Sequence, residues 1–347
     1  MPYRPLSIHW SAAVVATMSA LPAFTAPSPV FERAPQAGLV YDALYLQHDT
    51  GGWHPERAAR LTAILARLKE SGALPGLTVL EPAPASTEWL TTIHTPEYVR
   101  EVEQACERGD GVLHSRDTPL SARSFEVACL AAGGVLTAVD AVLAGEVRSA
   151  FCAVRPPGHH ALANRSMGFC LFNNVAVGAR YAQRKHGLKK VLIVDWDVHH
   201  GNGTQAAFDE DPTVLYFSTH QHPFYPGTGS AEERGTGEGT GYTVNVPLPA
   251  GAGDAEYLRV FREVLKPQAL AFHPDFVFVS AGFDAHEADP LGGMKVTTNG
   301  FAELTAVVRE IAEECCAGRL VSVLEGGYDL DALADSVAAH LSVLQRP

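Results

Sequence analysis

The chain has 347 residues, 46% of them hydrophobic, which is enough for one large α/β domain with a sizeable core or for two ordinary ones. Its 26 basic and 39 acidic residues leave a formal charge of −13, with Lys and Arg scattered, and this excludes nucleic acid as an expected direct partner. The six cysteines, Cys106, Cys129, Cys152, Cys170, Cys315 and Cys316, lack zinc-finger spacing and mostly have apolar neighbours, so they read as buried thiols.

Residues 1–37 read as a leader. Arg4, the mostly apolar stretch from Ser11 to Phe24 and the Pro-containing segment after Thr25 resemble a secretory signal followed by a linker. Pro22 interrupts the apolar run, however, and Met18 offers a later start. The preferred reading is a dispensable leader on a cytoplasmic protein; export is the alternative if residues 1–26 are a signal peptide. No later segment has about 18 consecutive apolar residues, so no membrane span is expected.

One domain is expected over residues 38–347. The stretch 39–46 reads as an opening strand, and 48–57 as a polar loop with Gly and Pro. Pro55 starts an expected helix that runs to Glu70 with Leu61, Ile64, Leu65 and Leu68 on one face. Further helices are expected over 95–107 and 121–144. From residue 150 short apolar runs alternate with helical stretches. Strands are expected at 150–154, 191–195, 213–218, 242–246, 276–280 and 320–325, and helices at 172–186, 254–265, 298–316 and 330–344. Adding 39–46 and 78–80 gives about eight strands, an α/β three-layer sandwich whose mainly parallel sheet has helices on both faces.

The polar clusters follow the strands. The run at 191–194 ends in Asp195-Trp-Asp197-Val-His199-His200, which brings carboxylates and imidazoles to one loop at a strand's carboxyl end. That is where open parallel sheets place their ligand crevice, and Asp/His sets suit zinc or other divalent ions. Burying these groups without a metal or partners is unfavourable, so a merely structural role is a poor account of them together. Asp284 alone reads equally well as a helix N-cap. His159-His160 and Tyr328 follow other strands and converge on the same rim. The remaining loop histidines, His48, His54, His94, His114, His220, His222 and His286, are read as surface residues or as supports behind the site.

Six ordered motifs then carry a resemblance: Arg155-Pro-Pro-Gly-His-His160, Gly168-Phe-Cys-Leu-Phe-Asn-Asn174, Asp195-Trp-Asp-Val-His-His-Gly-Asn-Gly-Thr-Gln205, Tyr225-Pro-Gly-Thr-Gly229, Ser280-Ala-Gly-Phe-Asp284 and Leu324-Glu-Gly-Gly-Tyr328. From about Gly38 onward the chain resembles the zinc-dependent histone deacetylases and their bacterial amidohydrolase relatives on the arginase-like fold. The resemblance implies zinc ligands at Asp197, His199 and Asp284, a general base at His160 with His159 as its electrostatic partner, and an oxyanion donor at Tyr328. It implies that Asp195 orients His159 and lines a potassium site with Ser218, and that Asn202 orients His160. It also implies a narrow acyl-lysine channel walled by Phe169 and Tyr225, with the Gly168 carbonyl accepting the substrate N–H.

Departures from the family pattern sharpen this. Asn202 stands where one branch has Asp, which is the class II and bacterial pattern. Tyr225 replaces the Phe usual in eukaryotic members and adds a hydroxyl at the channel mouth. Leu291 occupies the place of a Glu in polyamine-specific relatives, and Phe283 leaves only one acidic residue where arginases use paired ones, favouring a single zinc. The implied activity is removal of acetyl or short acyl groups from lysine side chains of proteins or peptides; the alternative is an acetylpolyamine or other small N-acyl amine substrate. The sequence leaves homo-oligomer formation open.

Overall fold

The structure, a computed structural model, describes residues 37–346. The expected leader lies outside the described residues except for Ala37. The strands are β1 (Ala37–Val40), β2 (Leu77–Leu80), β3 (Val112–Leu113), β4 (Ser115–Pro119), β5 (Ser149–Cys152), β6 (Val191–Asp195), β7 (Val214–Gln221), β8 (Thr243–Leu248), β9 (Phe276–Ala281) and β10 (Leu320–Leu324). Eight of them form one sheet in the order β2-β1-β5-β10-β9-β6-β7-β8, and every pairing in it is parallel. β3 and β4 make a separate antiparallel hairpin.

The centre of the sheet follows from its residues. β5, β6, β9 and β10 are buried along their whole lengths, as parallel strands rich in Val, Leu and Phe must be when both faces are covered. The cover includes the helices Asn174–His186, Thr298–Cys316 and Leu330–Leu344. The helix Ser124–Ala144 is long and apolar enough to cross a membrane, yet 78% of its most apolar stretch is buried inside the fold. It packs against Asn174–His186, β5 and β10, so its hydrophobicity is that of a core helix.

Some boundaries differ from the sequence reading. The opening strand stops at Val40, because Asp42 caps a 3-10 turn over Ala43–Gln47 and accepts from the Leu44 N–H at 2.7 Å. The helix expected from Pro55 begins at Ala59. The helix from Asp254 passes through a π-helical stretch, Phe261–Leu265, and runs on to Phe272. The helix Asn202–Phe208 and the β3–β4 hairpin have no counterpart in the sequence reading. All six cysteines are free, and all but Cys315 are buried.

Parallel pairing brings the carboxyl ends of β5, β10, β9, β6 and β7 to one edge. There Asp195 lies in register with Ser280 on one side and Ser218 on the other. The loops leaving these strands carry the candidate site.

Candidate functional site

Asp197 and His199 lie in the loop between β6 and the helix Asn202–Phe208, and Asp284 lies in the loop after β9. Ligand atoms of these three residues all fall within 4.8 Å of one another. His199 Nδ1 is 3.0 Å from Asp197 Oδ1 and 3.2 Å from Asp284 Oδ2. The outer oxygens are held by backbone: Gly326 N–H donates to Asp197 Oδ2 at 2.8 Å, and Val198 N–H donates to Asp284 Oδ1 at 2.8 Å. Asp197 Oδ1 also accepts from the His199 N–H at 2.9 Å, so both carboxylates are fixed in orientation by backbone donors. Gly326 has to be glycine, since a Cβ there would lie 2.0 Å from Asp284 Oδ2.

The electrostatics follow from this crowding. Burial lowers the His199 pKa, but the two carboxylates outweigh it and push it up to about 10. Burial and the Asp197 charge push Asp284 up to about 7. The donor set of one imidazole nitrogen and two carboxylate oxygens gathers protons where a divalent cation would replace them. It fits a zinc ion with open coordination positions.

The loop after β5 supplies His159 and His160, whose ring centroids lie 4.0 Å apart. His159 Nδ1–H donates to Asp195 Oδ2 at 3.0 Å. Burial lowers the His159 pKa, but the carboxylates of Asp197, Asp195 and Glu325 outweigh it and raise it well above the ordinary value. His160 goes the other way, lowered by burial and by its two neighbouring imidazoles. Its Nδ1–H donates to Asn202 Oδ1 at 2.8 Å, because an amide oxygen can only accept; this leaves the Nε2 lone pair free. His200 is turned elsewhere, toward Thr228 and Gln205. Ser218, beside Asp195 in the sheet, pairs with His220 Nδ1 at 2.9 Å.

A cavity of about 120 Å³ leads to these groups, lined by Asp117, His160, Gly168, Phe169, His199, Tyr225, Leu291 and Tyr328. A wider open cleft of about 760 Å³ beside Arg180, Gln205 and Glu238 contains none of the candidate catalytic or ligand residues. Phe169 meets the Tyr328 ring edge-on at 5.8 Å, and Tyr225 stands perpendicular to His160 at 5.2 Å. Gly168 and Phe169 are both left-handed, with φ of 57° and 69°, which is an unusual conformation for a phenylalanine. A Cβ on Gly168 would lie 2.3 Å from His160 Cδ2, so glycine is needed for this close approach.

A family model described as the histone deacetylase domain matches residues 54–344, a span that includes every one of these cavity residues. The chain belongs to the histone deacetylase family. It is 45% identical over 296 residues to a protein of Archaeoglobus fulgidus named "Probable deacetylase", across 85% of this chain and 82% of that one. It is 44% identical over 300 residues to the human "Polyamine deacetylase HDAC10", across 83% of this chain but 44% of that longer protein. The crystal structure of the HDA15 HD domain matches with a TM-score of 0.85 at 42% identity, covering 89% of this chain and 88% of that one. The protein is thus a deacetylase of this family, a hydrolase of amide bonds on the arginase-like fold, and the family is zinc-dependent.

The deacetylase framework also uses residues to which sequence reasoning gave no role. Glu325, fully buried after β10, accepts from the Gly158 and His159 N–H groups at 2.7 and 3.1 Å and so fastens the histidine loop. Asp289 accepts from the Tyr328 N–H at 2.6 Å. Buried Glu56 holds Arg155 through two bonds of 2.6 and 2.7 Å and Arg60 at 3.3 Å. Arg60 then donates to the carbonyls of Glu325 and Gly327, and its guanidinium lies 5.1 Å from the Tyr328 ring centre. Asp117, from the β3–β4 hairpin, joins the channel wall. A carboxylate at the end of an apolar strand was a visible signal for Glu325; Asp117 had none.

Proposed function

We propose that this deacetylase removes acetyl or short acyl groups from lysine side chains of proteins or peptides, with one zinc held by Asp197, His199 and Asp284. The observation that carries the reading is the three-donor cluster, whose His199 lines a slim, largely aromatic channel together with His160 and Tyr328. Zinc, when bound, supplies a Lewis acid that polarises an acyl carbonyl and acidifies water.

The chain's own residues supply the rest. Phe169 and Tyr225 flank the aliphatic stem of the substrate and exclude bulk water, and the Gly168 carbonyl accepts its amide N–H. His160 Nε2, kept neutral, takes the proton of the attacking water and returns it to the leaving nitrogen, so amide and water become amine and carboxylic acid. His159, oriented by its bond to Asp195 and 4.0 Å from the His160 ring, is the electrostatic partner beside the developing negative charge. The Tyr328 hydroxyl donates to the carbonyl oxygen as that charge grows. Asp195 and Ser218 are the side chains we assign to a potassium site, supported by their adjacent register and complete burial.

Leu291 supports acyl-lysine over polyamine. It is an apolar side chain on the channel, and it offers no partner for a distant ammonium. The test compares turnover of an acetyl-lysine peptide with that of acetylspermidine by zinc-loaded protein. The peptide is expected to be preferred, and Leu291→Glu is expected to move the ratio toward the polyamine by up to about fivefold, the scale of one solvent-exposed charge pairing. Preference of the wild-type protein for acetylspermidine would refute the substrate assignment. Two equivalents of bound metal per chain would refute the single-zinc reading.

A further inference from the structure

Asp117 connects the two aromatic walls of the channel. Its Oδ2 accepts from the Tyr225 hydroxyl at 3.3 Å. Its Oδ1 accepts from Thr118 Oγ1 at 2.8 Å, and that oxygen in turn accepts from the Phe169 N–H at 3.3 Å. The Asp117 carbonyl lies 3.3 Å from His54 Nε2, and the His54 ring meets Phe169 edge-on at 4.7 Å. A chain of hydrogen bonds thus runs from one wall to the other around the mouth.

The two halves of that chain differ in firmness. Thr118 is fully buried, and Phe169 is locked in a left-handed backbone, so that wall is fixed. Tyr225 is 38% exposed and reaches Asp117 through its hydroxyl alone. The Tyr225 side is therefore the one that can yield.

We propose that the Asp117–Tyr225 hydrogen bond is a clasp that sets the bore of the channel and makes the enzyme select slim, unbranched acyl groups; this rests on the deacylase reading above. An acylated side chain enters acyl end first, so its acyl group must pass between Tyr225 and Phe169 before it reaches His160. The cavity of about 120 Å³ is well below the ~300–1,000 Å³ of ordinary small-molecule sites, so small changes of bore decide which groups pass. Tyr225 is the specificity residue in this scheme, and Asp117 is the positioning residue behind it.

The test uses the zinc-loaded full chain with two pairs of peptides. One pair carries acetyl- or isobutyryl-lysine, and the other carries the uncleavable ketone isosteres of the same groups. Turnover reports kcat/KM ratios and calorimetry reports Kd ratios, both independent of the fraction of active protein. In Tyr225→Phe the isobutyryl-to-acetyl ratio of kcat/KM is expected to rise by about fivefold or more, the scale of one ordinary hydrogen bond. The ketone Kd ratio is expected to shift in the same direction. Asp117→Ala should give the same rise, and adding Tyr225→Phe to it should add nothing. Asp117→Asn keeps an acceptor for Tyr225 and a donor for Thr118, so it should retain the wild-type ratio.

Unchanged ratios in Tyr225→Phe overturn the clasp. So does a rise in Asp117→Asn equal to that in Asp117→Ala. Failure to turn over any acyl-lysine peptide would overturn the deacylase reading instead, and the ketone Kd ratios would then decide the clasp alone.

Discussion

Glu56→Gln should destabilise the protein strongly and in a pH-dependent way. Glu56, Arg60 and Arg155 are all fully buried, and one carboxylate serves both guanidiniums. Burial raises the Glu56 pKa, but the two arginines outweigh it and bring it from the ordinary 4.5 to about 2. At about 1.4 kcal/mol per pH unit, that difference corresponds to about 3 kcal/mol of stability at neutral pH. Breaking a buried pair by removing one partner costs about 3–5 kcal/mol, which is the same scale. Because the folded value lies below the unfolded one, this stability is fully present above about pH 4.5 and is lost as pH falls from there toward 2. Urea unfolding at pH 7 should show the variant about 3–5 kcal/mol less stable than the wild type, and the gap should narrow on acidification through that window. A gap below about 1 kcal/mol, or one that stays constant as pH falls toward 3, would refute the reasoning.

Two further outcomes are expected at the site. His160→Ala should lower turnover of an acetyl-lysine peptide by at least ~10²-fold while zinc content is retained; wild-type turnover in that variant would remove His160 from the base role. Gly326→Ala would place a Cβ 2.0 Å from Asp284 Oδ2 and 2.6 Å from Asp197 Oδ2. Metal analysis of that variant should find zinc well below the wild-type content, and full retention would show that the loop can move aside.

The parts of the site that were legible in the sequence are those whose signal is local. Asp195, Asp197 and His199 sit within one short loop, and the His159-His160 pair is framed by Pro and Gly. Their neighbourhood can be read without knowing what folds against it. Asp117 gave no such signal, because its partner Tyr225 is 108 positions away and its own strand is a short, unpatterned hairpin. The Glu56–Arg60 pair has helical spacing, but its third member, Arg155, lies 99 positions from Glu56. Of the two readings the sequence offers for His94, surface or supporting, the second holds: it is buried, and its Nε2 accepts from the Asn173 N–H at 2.9 Å, a choice that only the fold decides. The opening strand was overextended because the apolar alternation continues to Leu46, while Asp42 ends it by offering the backbone a competing bond.

The scatter of the ligand set along the chain also bears on how the molecule reaches its native state. Asp197 and His199 are neighbours, but Asp284 joins His199 across 85 positions, after β7, β8 and β9 have intervened. No short stretch of unfolded chain can assemble the three donors, so an ion bound there belongs to the native state alone. Its binding free energy then counts wholly toward folding, by about 4 kcal/mol when free metal is a thousandfold above its Kd. A shortage of metal would therefore lower the resistance of the molecule to unfolding by heat or urea as well as empty the site, so metal content should be legible in an unfolding curve.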